Sequence, residues 1–240
     1  AVGVGPQAVA FAPDGSLAYI ANYGTDTISR LRTSDNAVTA TFPVGAKPSG
    51  IAFTPDGSSA FVTIGASASV VRVRTSDNTV TATIGVGALP QGVAISRDGV
   101  LAYVVNSGDA TVSRLRISNN SVAATFPVGA SPTGVAFAPD AAFAYVANTG
   151  EGTVSLFDLP SAPQNLHAVT GDHWADVSFD PPASDGGSPI STYMYSIDDG
   201  VTWRSRDPAA ATSPIRITDL ANGRTYRIRL RAESAYGPGV

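Results

Sequence analysis

The chain has 240 residues, 43% of them hydrophobic and 14% charged, and its 15 basic against 19 acidic residues leave a formal charge of −4. That length has room for one large or two ordinary domains, and the slightly acidic balance gives no push toward nucleic acid or an anionic membrane. The absence of cysteine excludes disulfides and thiolate metal sites, and no apolar run approaches the roughly 20 residues of a membrane-spanning helix.

Arginine outnumbers lysine 14 to 1, and glutamate occurs only at Glu151 and Glu233, a bias expected of a GC-rich bacterial genome. No signal peptide opens the chain. It starts at Ala1 rather than Met, which reads as a processed product or an excised piece.

From Pro6 onward the chain is a repeat. The opening proline recurs at Pro48, Pro90 and Pro132, a spacing of 42 residues with no insertion or deletion. Each unit holds short runs rich in β-branched and aromatic residues, in the first copy roughly 7–12, 17–22, 27–32 and 37–42. Turn residues separate the runs. Pro13-Asp14-Gly15 recurs as Pro55-Asp56-Gly57, Arg97-Asp98-Gly99 and Pro139-Asp140-Ala141. Proline presets φ, aspartate bonds the backbone two residues on, and glycine takes the left-handed position. These aspartates are therefore turn formers, since one carboxylate per turn is far short of the oxygens a calcium ion needs. Asp35-Asn36, Asp77-Asn78 and Asn119-Asn120 mark a second hairpin in three of the copies.

Four antiparallel strands per repeat with no helical signal predict an all-β fold, a β-propeller of four-stranded blades that must stack to bury their faces. Tyr19-Ile20-Ala21-Asn22, Tyr103-Val104-Val105-Asn106 and Tyr145-Val146-Ala147-Asn148 resemble the signature of the YVTN family of propeller repeats. The second unit departs from it, with Phe61-Val62-Thr63-Ile64 lacking the asparagine. The resemblance covers about residues 1–160 and implies a secreted or surface-layer-type bacterial propeller, usually without an assigned reaction.

The fourth unit stops after its third strand, near Leu159. At the other end, Val2-Gly3-Val4-Gly5 matches only the tail of a fourth strand. Two readings stay open: four blades close as a small ring, or further blades precede Ala1.

From about residue 161 the repeat is gone. Strands are predicted from Ala162-Pro163-Gln164-Asn165-Leu166 onward, over Trp174–Phe179, Ile190–Ile197, Val201–Arg204, Ile215–Ile217 and Thr225–Ala232. The last of these alternates, with Tyr226, Ile228, Leu230 and Ala232 inward and Arg227, Arg229 and Arg231 outward. Some 80 residues with this strand count predict an immunoglobulin-like β-sandwich. The stretch resembles a fibronectin type III domain, whose tyrosine corner is echoed by Leu220 and Tyr226. The last strand is expected to be missing, giving domains at 1–160 and 161–240.

No catalytic constellation emerges. Residues 1–160 contain no histidine, cysteine, tryptophan or methionine, which leaves that half without a histidine-based metal site or triad. His167 and His173 are six apart, a spacing that suits no usual zinc site. No cofactor is expected. Tyr23, Lys47, Gln91, Asp109 and Glu151 differ between otherwise similar copies, so the scaffold does not dictate them, and they are the candidate ligand face. Arg30/Arg32, Arg72/Arg74 and Arg114/Arg116 recur in phase on the third strand. They read either as stems covering apolar surface with heads in water, or as a basic stripe for an acidic polymer. Trp203 reads as packing or as a stacking platform for sugar, and Asp198 and Asp199 as partners of the sandwich arginines.

The functional expectation is a non-catalytic secreted or cell-surface binding or scaffold protein, the propeller as platform and the sandwich as spacer. Its partners would be a surface glycan, a cell-wall polymer or a protein. The alternative is an accessory region of a propeller-type lyase or polysaccharide hydrolase whose catalytic part lies elsewhere.

Overall fold

The computed structural model describes residues 1–140 and 142–239. They contain no α-helix, only a 3-10 turn at Gly65–Ser67 among the strands. The chain divides into two compact units: Ala1–Pro139 with Ala144–Leu156, and Asp140–Phe143 with Phe157–Val240.

The repeat forms four antiparallel meanders. Sheet 1 runs β1 (Pro6–Phe11), β2 (Leu17–Asn22), β3 (Thr27–Arg32) and β4 (Ala37–Pro43). Sheet 2 runs β5 (Pro48–Phe53), β6 (Ser59–Ile64), β7 (Ser69–Arg74) and β8 (Thr79–Gly85). Sheet 3 runs β9 (Pro90–Ile95), β10 (Leu101–Asn106), β11 (Thr111–Arg116) and β12 (Ser121–Pro127). Sheet 4 has three strands, β13 (Pro132–Phe137), β14 (Phe143–Asn148) and β15 (Thr153–Asp158).

The turns follow the predicted chemistry. Asp14 Oδ1 accepts the Ser16 N–H at 3.0 Å, Asp56 that of Ser58 at 3.0 Å and Asp98 that of Val100 at 3.0 Å, while Gly15, Gly57 and Gly99 take φ near +70°. Asp140 accepts from Ala142 in the same way, and Ala141 of the fourth turn lies outside the described residues. Asn36, Asn78 and Asn120 sit at φ of 56°, 59° and 53°.

Successive sheets bury their faces on one another. Tyr19 packs its ring 5.0 Å from that of Phe53, and Tyr103 packs 4.8 Å from Phe137. Ile28, Ile51, Val62 and Val71 close the junction of sheets 1 and 2; Phe61, Val70, Val93 and Leu115 close that of sheets 2 and 3. Sheets 2 and 3 are covered on both sides, so every residue of β6 and β10 is buried. The first strands approach so closely that a Cβ on Gly50 would lie 2.3 Å from the Gln91 carbonyl oxygen, and one on Gly92 2.8 Å from that of Thr133.

The second unit is a sandwich. One sheet is β16 (Gln164–Gly171), β17 (Trp174–Asp180) and β20 (Ile215–Thr218). The other has the order β19 (Arg204–Ser205), β18 (Thr192–Ser196), β21 (Arg229–Ser234) and β22 (Gly237–Pro238). Phe179, Tyr193, Ile215, Ile217 and Leu230 form its core. The strand expected over Val201–Arg204 shrinks to Arg204–Ser205, because the Asp198 carboxylate accepts both the Thr202 N–H at 2.8 Å and its hydroxyl at 2.6 Å and curls that segment into a loop. The strand expected from Thr225 starts only at Arg229. Before it, Tyr226 Oη accepts the Ala221 N–H at 2.8 Å and holds the corner the sequence foretold.

The close approach of the first strands makes a sharp prediction. Gly50→Ala lowers the unfolding free energy of the repeat unit by about 1–3 kcal/mol, because its Cβ meets backbone rather than a yielding side chain. Gly134→Ala, at the equivalent place in sheet 4 with nothing within 4 Å, changes it by less than about 0.5 kcal/mol. Denaturant unfolding of dilute protein compares the two, and equal effects contradict the packing described.

Candidate functional site

The turns joining the second and third strands of each repeat sheet meet the segments that lead into the first strands, and together they form a rim. The Tyr23 N–H donates to the Gly5 carbonyl at 2.9 Å, that of Gly65 to Lys47 at 3.0 Å, that of Ser107 to Leu89 at 3.1 Å and that of Thr149 to Ser131 at 3.2 Å. Beneath the rim, the asparagine that ends the second strand of sheets 1, 3 and 4 is buried. Asn22 Nδ2 donates to Thr27 and Ser29, Asn106 Nδ2 to Thr111 and Ser113, and Asn148 Nδ2 to Thr153 and Ser155, all at 2.9–3.1 Å. Oδ1 of the same three side chains has no partner among the described residues, a cost that the two donated bonds partly offset.

Sheet 2 explains its own departure from the pattern. Ile64 replaces the asparagine, and Val71 stands where the others have Ser29, Ser113 and Ser155. Donor and acceptor are exchanged together for two apolar side chains, which avoids an orphaned polar group.

The rim collects four of the five variable residues. Tyr23 is partly exposed, with the Lys47 ammonium 5.8 Å from its ring centre. The Lys47 backbone is fixed by Asp26, whose Oδ1 accepts its N–H at 2.9 Å. Asp109 and Glu151 are exposed at equivalent turns of sheets 3 and 4. Asp109 Oδ2 accepts the Ala88 N–H at 2.6 Å, and Glu151 Oε2 accepts from the Thr153 hydroxyl at 3.5 Å. Gln91 lies apart, on β9, where its carbonyl accepts the Thr63 hydroxyl at 2.6 Å.

Asp109 also borders a groove of about 490 Å³ with Val86, Thr111, Ser113, Val122 and Thr125. A carboxylate, three hydroxyls and two valines offer acceptors, donors and an apolar wall, a composition that suits a hydroxyl-rich ligand. Sequence variation pointed to Asp109, but the hydroxyls come from a strand pair whose register only folding fixes.

The in-phase arginines divide into two sets. Arg30, Arg72 and Arg114 stand opposite Tyr19, Phe61 and Tyr103 in the strand pairing. Arg114 is buried. Arg72 donates from Nε to Ser59 at 3.0 Å and from its terminal nitrogen to the Ile117 carbonyl at 3.4 Å and Asn120 Oδ1 at 3.3 Å, tying sheet 2 to sheet 3. Arg32 and Arg74 are exposed and paired with Asp35 and Asp77 at 3.0 and 2.9 Å, contacts that add little stability. Arg116 is partly buried on β11. Burial pushes the Tyr19 phenol up to about 12, with the Arg30 charge opposing the shift, and its hydroxyl donates to Asn78 Oδ1 at 2.7 Å.

In the sandwich, Arg231 is buried beneath Trp203, its guanidinium 4.1 Å from the ring centre. Trp203 is thus a packing residue, and Arg231 does not face solvent as the alternation implied. Asp199 accepts from Arg229 at 2.7 Å and from Arg227 at 3.3 Å, while Asp198 is spent on its own loop; the hydrogen bonds from Thr202 and Ser196 hold its carboxyl down at about 2. Asp176 receives a bidentate pair from Arg216, at 2.8 and 2.6 Å. His173 Nδ1 meets the Leu220 carbonyl at 2.9 Å. The described residues contain no group of three or more His, Cys, Asp or Glu that could hold a metal ion.

The second unit thus has the two-sheet order of an immunoglobulin-like sandwich. Residues 161–239 match the fibronectin type III domain family, and this part of the chain is such a domain. Among solved structures, the hydrazine synthase of Kuenenia stuttgartiensis is similar at 20% identity and a TM-score of 0.58, with 96% of this chain and 66% of that one covered. A putative 6-phosphogluconolactonase from Bacteroides fragilis is similar at 20% identity and 0.57, with 64% of this chain and 50% of that one covered. U3-55K is similar at 12% identity and 0.54, over 85% and 78%. At these identities the likeness carries the fold and not the function.

The asparagine site can be tested by a double-mutant cycle. Asn106→Ile alone costs about 1–3 kcal/mol, because Thr111 and Ser113 lose their partner. Adding Ser113→Val, which copies sheet 2, recovers about 1 kcal/mol or more as coupling energy in equilibrium unfolding. Strict additivity contradicts the paired exchange.

Proposed function

We propose that this protein is a non-catalytic binding and scaffold protein whose four repeat sheets are blades of a YVTN-like β-propeller. The fibronectin type III domain is its spacer, and the protein works outside a bacterial cell or on its surface. The observation that carries the reading is the rim. Four copies of one backbone present different side chains, an aromatic with a cation in the first junction and carboxylates at Asp109 and Glu151. Variation at exposed loop positions of a repeated rigid scaffold is the pattern of a recognition surface. The groove beside Asp109, with its three hydroxyls and apolar wall, favours a surface glycan or wall polymer as the ligand.

Screening the intact chain against neutral and acidic oligosaccharides tests this. A captured glycan should lose affinity about tenfold or more on Asp109→Ala or Thr125→Val, equal to about 1.4 kcal/mol, with the melting temperature monitored in parallel. No captured glycan, or capture that neither substitution alters, overturns the reading.

A further inference from the structure

The 42-residue interval lets one sheet junction serve as the control for the next. At the end of the strands away from the rim, Arg72 of sheet 2 spends its guanidinium on three acceptors. These are the Ser59 hydroxyl at 3.0 Å, the Ile117 carbonyl at 3.4 Å and Asn120 Oδ1 at 3.3 Å. Arg30 holds the same position in sheet 1, where two of the three acceptors are lost. Leu17 stands in place of Ser59 and has no hydroxyl. Asn78 Oδ1, the counterpart of Asn120, is occupied by the Tyr19 hydroxyl at 2.7 Å, a bond that the corresponding Phe61 cannot make. The nearby Asp35 and Asp77 are paired with Arg32 and Arg74. Arg30 Nε is left buried without a partner among the described residues, a state that costs stability unless something outside the chain satisfies it.

The space that Arg72 spans at the second junction stays open at the first. A cavity of about 520 Å³ lies between sheets 1 and 2, lined among others by Arg30, Asp14, Asp56, Pro13, Pro55 and Leu17. Its counterpart between sheets 2 and 3, which Arg72 lines, measures about 220 Å³. Both carboxylates of the larger cavity are charged at neutral pH, since hydrogen bonds hold their carboxyls low, chiefly from the Ser16 backbone to Asp14 and from the Thr54 hydroxyl to Asp56. The cavity therefore carries one cation and two anions, and the cation pairs with neither. Separated charges of opposite sign in one cavity match a ligand that carries both. A simple carboxylate would meet Arg30 but also two like charges, and a simple amine would leave the guanidinium unmet.

We propose that the cavity between sheets 1 and 2 binds a small zwitterion, an amino acid or a compound with the same pair of ammonium and carboxylate groups. The ligand carboxylate accepts from the Arg30 guanidinium, its ammonium donates to the Asp14 and Asp56 carboxylates, and its carbon chain lies against Pro13, Pro55 and Leu17. At the second junction Arg72 is already satisfied within the protein, so the smaller cavity is not a second copy of the site. The site is separate from the groove at Asp109 and does not depend on a glycan binding there.

Calorimetric titration of the intact chain with glycine, β-alanine, 4-aminobutanoate and 6-aminohexanoate tests the proposal, with acetate and ethylammonium as single-charge controls. At least one of the amino acids should bind about tenfold or more tighter than either control. Arg30→Gln and Asp56→Asn should each weaken that binding about tenfold or more, with melting temperatures followed to confirm that the variants fold. Leu17→Ser combined with Tyr19→Phe copies sheet 2 and keeps the arginine. The added hydroxyl and the freed Asn78 Oδ1 then satisfy Arg30 inside the protein, and the affinity should fall to the same degree. Amino acids that bind no better than acetate or ethylammonium, or an affinity that any of these variants leaves unchanged, overturn the proposal.

Discussion

The repeat unit depends on the burial of an aromatic residue of one sheet against the first strand of the next. Tyr19 against Phe53 and Tyr103 against Phe137 repeat the same geometry. Each fully buried aromatic or branched side chain contributes about 1.5–3 kcal/mol, so a junction of several such residues outweighs the hydrogen bonds around it. A four-stranded meander has two broad faces and no core of its own. Stacking in register is what makes each one stable, and the copies keep an equal spacing of 42 residues.

Polar contacts at the junctions set register. Arg72 reaches across to Ile117 and Asn120, and Tyr19 to Asn78. The asparagines that hairpins need for their positive φ thus serve also as acceptors for the neighbouring sheet. The buried Asn22, Asn106 and Asn148 work within their own sheets, holding the ends of the second and third strands together below the rim. That leaves the rim turns rigid at the backbone and free in their side chains, the condition under which loop residues can diverge toward a ligand.

Much of this was legible in the sequence because turn chemistry is local. Asp14, Asp56 and Asp98 bond the residue two positions on, and the repeat interval alone located the strands to within a residue or so. The tyrosine corner was legible for the same reason, since Leu220 and Tyr226 are close in the chain. What stayed hidden depended on pairing between distant segments. Nothing in the order of residues says that Arg72 spends its guanidinium on the next sheet, or that Arg231 lies under Trp203. The Val201–Arg204 stretch has strand composition, yet the Asp198 side chain outcompetes the ladder for the Thr202 backbone. The groove at Asp109 was half legible: variation flagged the carboxylate, while Thr111, Ser113 and Thr125 converge on it only through the register of β11 and β12.

Amide hydrogen exchange tests most directly whether burial between sheets holds the repeat unit together. Strands β6 and β10, covered on both faces, should exchange most slowly, and β14, with alternate residues exposed, markedly faster. Uniform protection across the second strands of all four sheets would contradict the account, because each sheet would then be stable without its neighbours.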